Sequence, residues 1–183
     1  MVSNLSHPAA LYTLRKITRI SALVILLLVV VGFFMPTDYR VERSVVIQAS
    51  RDAIYRDILQ GDRLPSWMFI QGGKVADFEG ALKEGDSVAL VYDETAEQGL
   101  LTIVESSSSV IRFDVRPKPA VDLVRNQIEL RDSGSETMVV WTIEGSLNTG
   151  LLSPYLAMFA NDIAGSNFER SLQSLKEQVE LLN

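Results

Sequence analysis

Hydrophobic residues follow three rhythms along the chain. Between Arg19 and Asp38 they are continuous: the eighteen residues from Ile20 to Thr37 carry no charge. At about 1.5 Å per residue such a helix covers roughly 27 Å, close to the roughly 30 Å hydrocarbon layer of a bilayer. From Tyr39 to Leu147 the rhythm is alternation. In "YRVERSVVIQAS", Val41, Val45 and Ile47 oppose Arg40, Glu42, Ser44 and Gln48, the period of a half-buried strand. Arg43 interrupts the apolar face and is expected near its end. Ser50 is placed to cap the first turn of "RDAIYRDIL", where Ile54 and Ile58 share one side of a short helix. "QGDRLPSWM" then reads as a turn, through Gly61, Asp62 and Pro65.

Beyond Gly72 the runs "GKVADFEG", "DSVALVYD", "LLTIVES", "VIRFDVRP", "VDLVRNQIELRD" and "ETMVVWTIEGSL" predict an antiparallel sheet. "ESSSS", Glu105 to Ser109, is expected as a hairpin loop. Ile111, Phe113 and Val115 alternate with Arg112, Asp114 and Arg116, so one face is wet. In the last run Thr137, Val139, Trp141 and Ile143 oppose Met138, Val140, Thr142 and Glu144, which predicts cover on both faces near its middle. The third rhythm runs from Pro154 to Leu182. Phe168, Leu172, Leu175, Val179 and Leu182 fall on one helical stripe, with Glu169, Arg170, Lys176, Glu177 and Glu180 on the other side. Burying each stripe residue is worth about 1.5–3 kcal/mol, so this helix needs a sheet to lie on.

The uncharged run ends in Gly32, Phe33, Phe34, Met35 and Pro36, without the small-residue pattern of a cleavage site. It therefore predicts an uncleaved anchor, with Phe33, Phe34 and Tyr39 at the membrane–water boundary and Arg19 reaching water at the other end. The expected organisation is a short cytoplasmic tail at 1–19, a transmembrane signal anchor at 20–37 and one soluble domain at 38–183. Arg15, Lys16 and Arg19 precede the span and Arg40, Arg43 and Arg51 follow it. The short basic tail favours an inside N-terminus, which puts the domain outside the cytoplasm. A buried core helix is the alternative, disfavoured because the run is apolar on every side.

Composition narrows the chemistry. The chain is 47% hydrophobic and 22% charged, within the globular range, and it has no cysteine. Disulfides, thiol nucleophiles and thiolate metal sites are excluded. Asp and Glu number 23 against 17 Lys and Arg, so a nucleic-acid partner is not expected. The one histidine, His7, lies in the tail, which leaves no imidazole base or ligand for the soluble domain. No cofactor is called for. The pairs Asp93 with Glu94 and Glu84 with Asp86 read as loop carboxylates, and Gly72 with Gly73 as turn glycines lacking any phosphate-loop ending. Asp162 is either a cavity-facing carboxyl or a solvated one. Gly165, inside the predicted helix, signals close approach of another element or a ligand.

Strand, short helix, antiparallel run and long C-terminal helix form an α+β order that resembles the helix-grip fold of START-like proteins, the SRPBCC superfamily. The likeness is carried by "YRVERSVVIQAS", "LPSWM", "GLLTIVE", "TMVVWTIEG" and "NDIAGSNFERSLQSLKEQVE". It is most similar to the membrane-anchored bacterial members labelled polyketide cyclase/dehydrase. That resemblance implies a curved sheet wrapped around the helix, a cavity between them that takes lipids or other apolar molecules, and an inner-membrane location. Two departures reduce the aromatic lining the family leads one to expect: Leu64-Pro65-Ser66-Trp67 replaces a loop with two tryptophans around a proline, and Tyr92 stands where an indole is common. Trp67, Tyr92, Phe113, Trp141, Phe159, Ile163 and Phe168 are the candidates to border the cavity, each with plain core as its alternative. The expected role is a non-catalytic binding module for an apolar small molecule or lipid. A cyclase/dehydratase-type enzyme and an envelope protein-interaction domain with a filled core are the alternatives.

Overall fold

The computed structural model describes residues 7–148 and 150–182; the side chains of residues 7–10 and 161–163 lie outside the described part. Helix α1 (His7–Phe34) is a single element of 28 residues. It begins well before Ile20: Pro8 sits in its first turn, where a missing N–H is no loss, and no glycine or proline interrupts the basic segment that follows. It stops at Phe34 because Pro36 disfavours helical geometry in the residue before it. Its stretch Leu11–Phe34 is long and apolar enough to cross a membrane and is almost wholly exposed.

The remainder is an α+β unit built on one seven-stranded antiparallel sheet, ordered β1-β7-β6-β5-β4-β3-β2. The strands are β1 (Asp38–Ile47), β2 (Gly73–Val75), β3 (Ser87–Tyr92), β4 (Gly99–Ser106), β5 (Val110–Arg116), β6 (Val124–Ser133) and β7 (Glu136–Ser146). Helices α2 (Arg51–Ile58) and α3 (Leu64–Trp67) follow β1, and α4 (Ser153–Met158) and α5 (Ala160–Glu180) follow β7. The sheet curls into a half-barrel, helped by a bulge in β4 between Ile103 and Glu105, and its concave face grips α5. This is the helix-grip architecture.

Alternation decides which residues meet the helix. Val41 and Ile47 of β1, Ile111 and Phe113 of β5, Ile128 and Leu130 of β6, and Val139, Trp141 and Ile143 of β7 are buried on the inner face, together with Leu172, Leu175 and Val179 from the α5 stripe. Ser50 caps α2 as expected, its hydroxyl accepting from the Ala53 amide. Several details differ from the sequence reading. Pro65 lies in the first turn of α3 rather than in an open turn, where it has no hydrogen bond to lose. The C-terminal segment is two helices, broken at Phe159. Leu182 lies past the end of α5 and is exposed. Val140 and Thr142 are buried on the outer face of β7 as predicted, yet among the described residues no second layer covers them. They are flanked in register by Ser44 and Glu129 and by Glu42 and Gln127, and the Thr142 hydroxyl donates to Glu42 at 3.4 Å.

Arg43 does not sit near the end of the apolar face. It stands mid-strand opposite Trp141 and points at α5, where its Nε donates to Glu169 at 2.7 Å and its Nη1 to the Glu42 carbonyl at 2.8 Å. Gly165 makes this possible: a Cβ there would lie 2.1 Å from Arg43 Nη2. The close approach read from the sequence is thus a guanidinium passing under the helix. Gly165→Ala is expected to destabilise the native chain, but to stabilise the Arg43→Ala variant by about 0.5–1 kcal/mol, the ordinary helix preference for alanine. A double-mutant cycle in denaturant measures this change of sign; the same sign in both backgrounds would refute it.

Candidate functional site

Sheet and helix do not meet along their whole length. The buried stripe residues Leu172, Leu175 and Val179 occupy the second half of α5, while the described side chains that its first half turns to the groove are Ala164, Asn167 and Phe168, of which two are small or polar. A groove of about 310 Å³ remains there. Its floor is Met68, Leu90, Phe113, Trp141 and Ile143, all buried. Tyr39, Tyr92, Val115, Pro117 and Val124 form one rim, and Phe69–Gln71 with Ala164, Asn167 and Phe168 form the other. Tyr39 is at the start of β1, Tyr92 at the end of β3 and Val124 at the start of β6, so the groove lies at the end of the half-barrel where α1 joins β1.

Trp141 organises the floor. Its ring lies 4.8 Å from Phe168, 5.7 Å from Trp67 and 6.1 Å from Phe113, centroid to centroid. Its indole N–H donates to Asn126 Oδ1 at 3.1 Å, and the Asn126 amide donates to the Val124 carbonyl at 3.1 Å, so the asparagine is buried with both ends satisfied. The opposite lip is tied to α5 by Ser171, whose hydroxyl accepts from the Phe69 amide at 3.0 Å and donates to the Asn167 carbonyl at 3.0 Å. The Arg170 guanidinium covers the Phe69 ring at 4.1 Å.

No charged side chain lines the groove among the described residues. Its polar groups are the amides of Gln71, Asn126 and Asn167 and the phenols of Tyr39 and Tyr92. Burial raises both phenol pKa values above the ordinary tyrosine range, so they stay neutral through physiological pH. Lys118 approaches only the mouth, 5.8 Å from the Tyr92 ring. The outer face of the sheet has larger depressions, one of about 510 Å³ beside Arg40, Arg125 and Glu144, but charged residues line it and the Arg40–Glu144 ion pair is exposed. It does not suit an apolar guest.

Of the residues singled out from the sequence, Tyr92, Phe113, Trp141 and Phe168 line the groove. Trp67 stands behind Trp141 and donates its indole N–H to the Ile58 carbonyl at 3.0 Å, which fastens α3 to α2. Phe159 is exposed at the break between α4 and α5. The side chains of Ile163 and Asp162 lie outside the described residues. Tyr39, Asn126, Asn167 and the Met68–Gln71 lip were not anticipated. Asn126 was within reach: alternation in "VRNQIEL" puts it on the face of Ile128 and Leu130, a polar residue on an apolar side. The Asp86 carboxylate accepts from the Lys83 amide at 2.8 Å in a turn. No cluster of metal-ligating side chains is present among the described residues.

A curved antiparallel half-barrel, a helix in its grip and an apolar groove between them define a helix-grip fold. Solved structures agree. The chain is similar in fold to protein CV1439 from Chromobacterium violaceum, with a TM-score of 0.60 at 16% identity over 77% of this chain and 96% of that one. It is likewise similar to SA2116 from Staphylococcus aureus, a protein of unknown function, with a TM-score of 0.62 at 13% identity over 79% and 96%. The solved structure of Ara h 8.0201 gives a TM-score of 0.57 at 12% identity over 80% and 99%. At these identities the likeness is one of fold. No protein-family model and no curated protein sequence matches the chain.

Proposed function

We propose that the chain is a single-pass membrane protein whose helix-grip domain binds a neutral apolar molecule or lipid in the groove under α5. One observation carries this reading: the groove combines an apolar floor with uncharged hydrogen-bonding groups at its rim, and it lies at the end of the domain next to α1. Apolar transfer supplies the affinity and the few amides and phenols supply orientation. Tyr92, Phe113, Trp141 and Phe168 make the contacts, with Trp67 supporting Trp141. Residues 20–37 form the anchor, the basic tail stays in the cytoplasm, and the domain faces the outer side of a bacterial inner membrane.

The polyketide cyclase/dehydrase type remains the second reading, on the family resemblance. Among the described lining groups only Tyr39 and Tyr92 could move a proton there, and their raised pKa values make them poor bases at neutral pH. Native mass spectrometry of the full chain, washed free of loosely held lipid in detergent, tests the proposal. A stoichiometric apolar adduct is expected on the native chain and is lost from Ala164→Trp, whose indole occupies the groove. Equal adducts on both would point to lipid held around α1 and overturn the reading.

A further inference from the structure

Helix α4 lies in the longest uncharged stretch of the chain after α1. No charged residue occurs between Glu144 and Asp162. Within that segment Leu151, Leu152, Met158 and Phe159 are 70%, 65%, 64% and 55% exposed, an apolar cluster without a covering element among the described residues. The cluster is joined to α1 by two contacts. The Tyr155 hydroxyl donates to the Leu28 carbonyl at 2.6 Å, and the Tyr155 ring fits against Gly32, where a Cβ would come within 3.0 Å of it. A helical side chain covers the turn before its own Cα, so the missing side chain of Gly32 is what uncovers the Leu28 carbonyl.

We infer that α4 and the adjoining Gly150–Leu152 turn form a membrane-inserting surface, which seats the domain on the same bilayer that α1 crosses and holds the groove mouth at the lipid. The depth follows from helix geometry. Leu28 lies six residues before Phe34, about 9 Å along the axis, within the roughly 5–10 Å that interfacial helices reach. A residue bonded to Leu28 is therefore at the level of the acyl chains' outer part when α1 spans. The β5–β6 loop belongs to the same end: Asn148 donates to Asp122 at 2.6 Å, and the loop carries exposed Val121 and Leu123 flanked by Arg116, Lys118 and Arg125, apolar tips with cations at headgroup level. The acidic β3–β4 loop, Asp93, Glu94 and Glu97, sits on strands at the other side of the sheet from β1. Lipid thus meets the β1 side, where Tyr39 borders the groove.

This seating rests on α1 being an anchor, and the test separates the two. The chain has no cysteine, so single substitutions take an environment-sensitive fluorophore without background. Labels at Leu151→Cys, Met158→Cys and Val121→Cys are placed in the full chain, reconstituted in phosphatidylethanolamine–phosphatidylglycerol nanodiscs. Leu26→Cys reports on the anchor and Val104→Cys, on the outer face of the sheet, on water. Expected are blue-shifted emission and quenching by shallow nitroxide lipids at 121, 151 and 158, quenching by deep nitroxide lipids at Leu26→Cys, and no change at Val104→Cys. Aqueous emission at 151 and 158 beside a lipid-quenched Leu26→Cys would overturn the seating alone. Aqueous emission at all positions would overturn the anchor and the seating together. Quenching at 151 and 158 by a second labelled chain, and not by nitroxide lipid, would assign the patch to a dimer and refute the inference.

Discussion

Replacing Trp141 with alanine is expected to lower the unfolding free energy by about 3–5 kcal/mol, the range for removing a large aromatic from a packed interior. The ring is 3% exposed and touches Trp67, Phe113 and Phe168, so three partners lose contact at once. Asn126 Oδ1 also loses its donor. Trp141→Phe separates these effects: it keeps much of the ring but strands the acceptor, for about 1–3 kcal/mol. Urea unfolding of the full chain in nonionic detergent, followed by the fluorescence of Trp67, reads both values. The chain contains two tryptophans, so Trp67 is then the sole reporter. An unchanged denaturant slope would show that stability rather than the unfolded state has moved. A loss below about 1 kcal/mol for Trp141→Ala would mean that the cluster is not the centre of the core.

Ala164→Trp is expected to abolish occupation of the groove, with affinity falling at least tenfold, about 1.4 kcal/mol or more. Ala164 lies on the groove wall at a half-buried position, so an indole there enters space that the protein leaves open rather than an already packed core. Overpacking costs of about 1–3 kcal/mol arise where no such space exists, and the unfolding midpoint should therefore move little. A long-chain alcohol bearing a diazirine distinguishes the groove from the lipid belt. After irradiation of the native chain, crosslinks are expected at Met68–Gln71 and around Phe168 as well as along α1. In Ala164→Trp only those along α1 should persist. Crosslinks at Phe168 that survive the substitution would place the guest elsewhere.

The parts of this architecture that were legible before the structure are those governed by a repeating pattern. Ile111, Phe113 and Val115 announce a strand, and Phe168, Leu172, Leu175 and Val179 announce a helix facing it. Periodicity assigns a face but not what stands opposite, so Arg43 read as a flaw in β1 until Gly165 was seen above it. Asn126 is half legible: alternation puts a polar residue on an apolar face, but its partner, Trp141 on β7, is given only by the strand pairing. The break at Phe159 had no signal at all, since Ala157 to Ala160 contains neither glycine nor proline. Phe159 was accordingly assigned to the cavity wall, and the same uninterrupted helix concealed the apolar end that α4 presents beside α1.

Strand β1, which follows α1, is also an outer edge of the sheet, ten residues long and paired only to β7. Chains confined to a plane collide often and in similar orientations, the setting in which open edges recruit one another. Along β1 the solvent side carries Arg40, paired with Glu42 and Glu144, so a docking strand from a neighbouring molecule would have to strip water from these charged side chains. If α1 anchors the chain as proposed, these charges along β1 are what keeps neighbouring copies from pairing edge to edge.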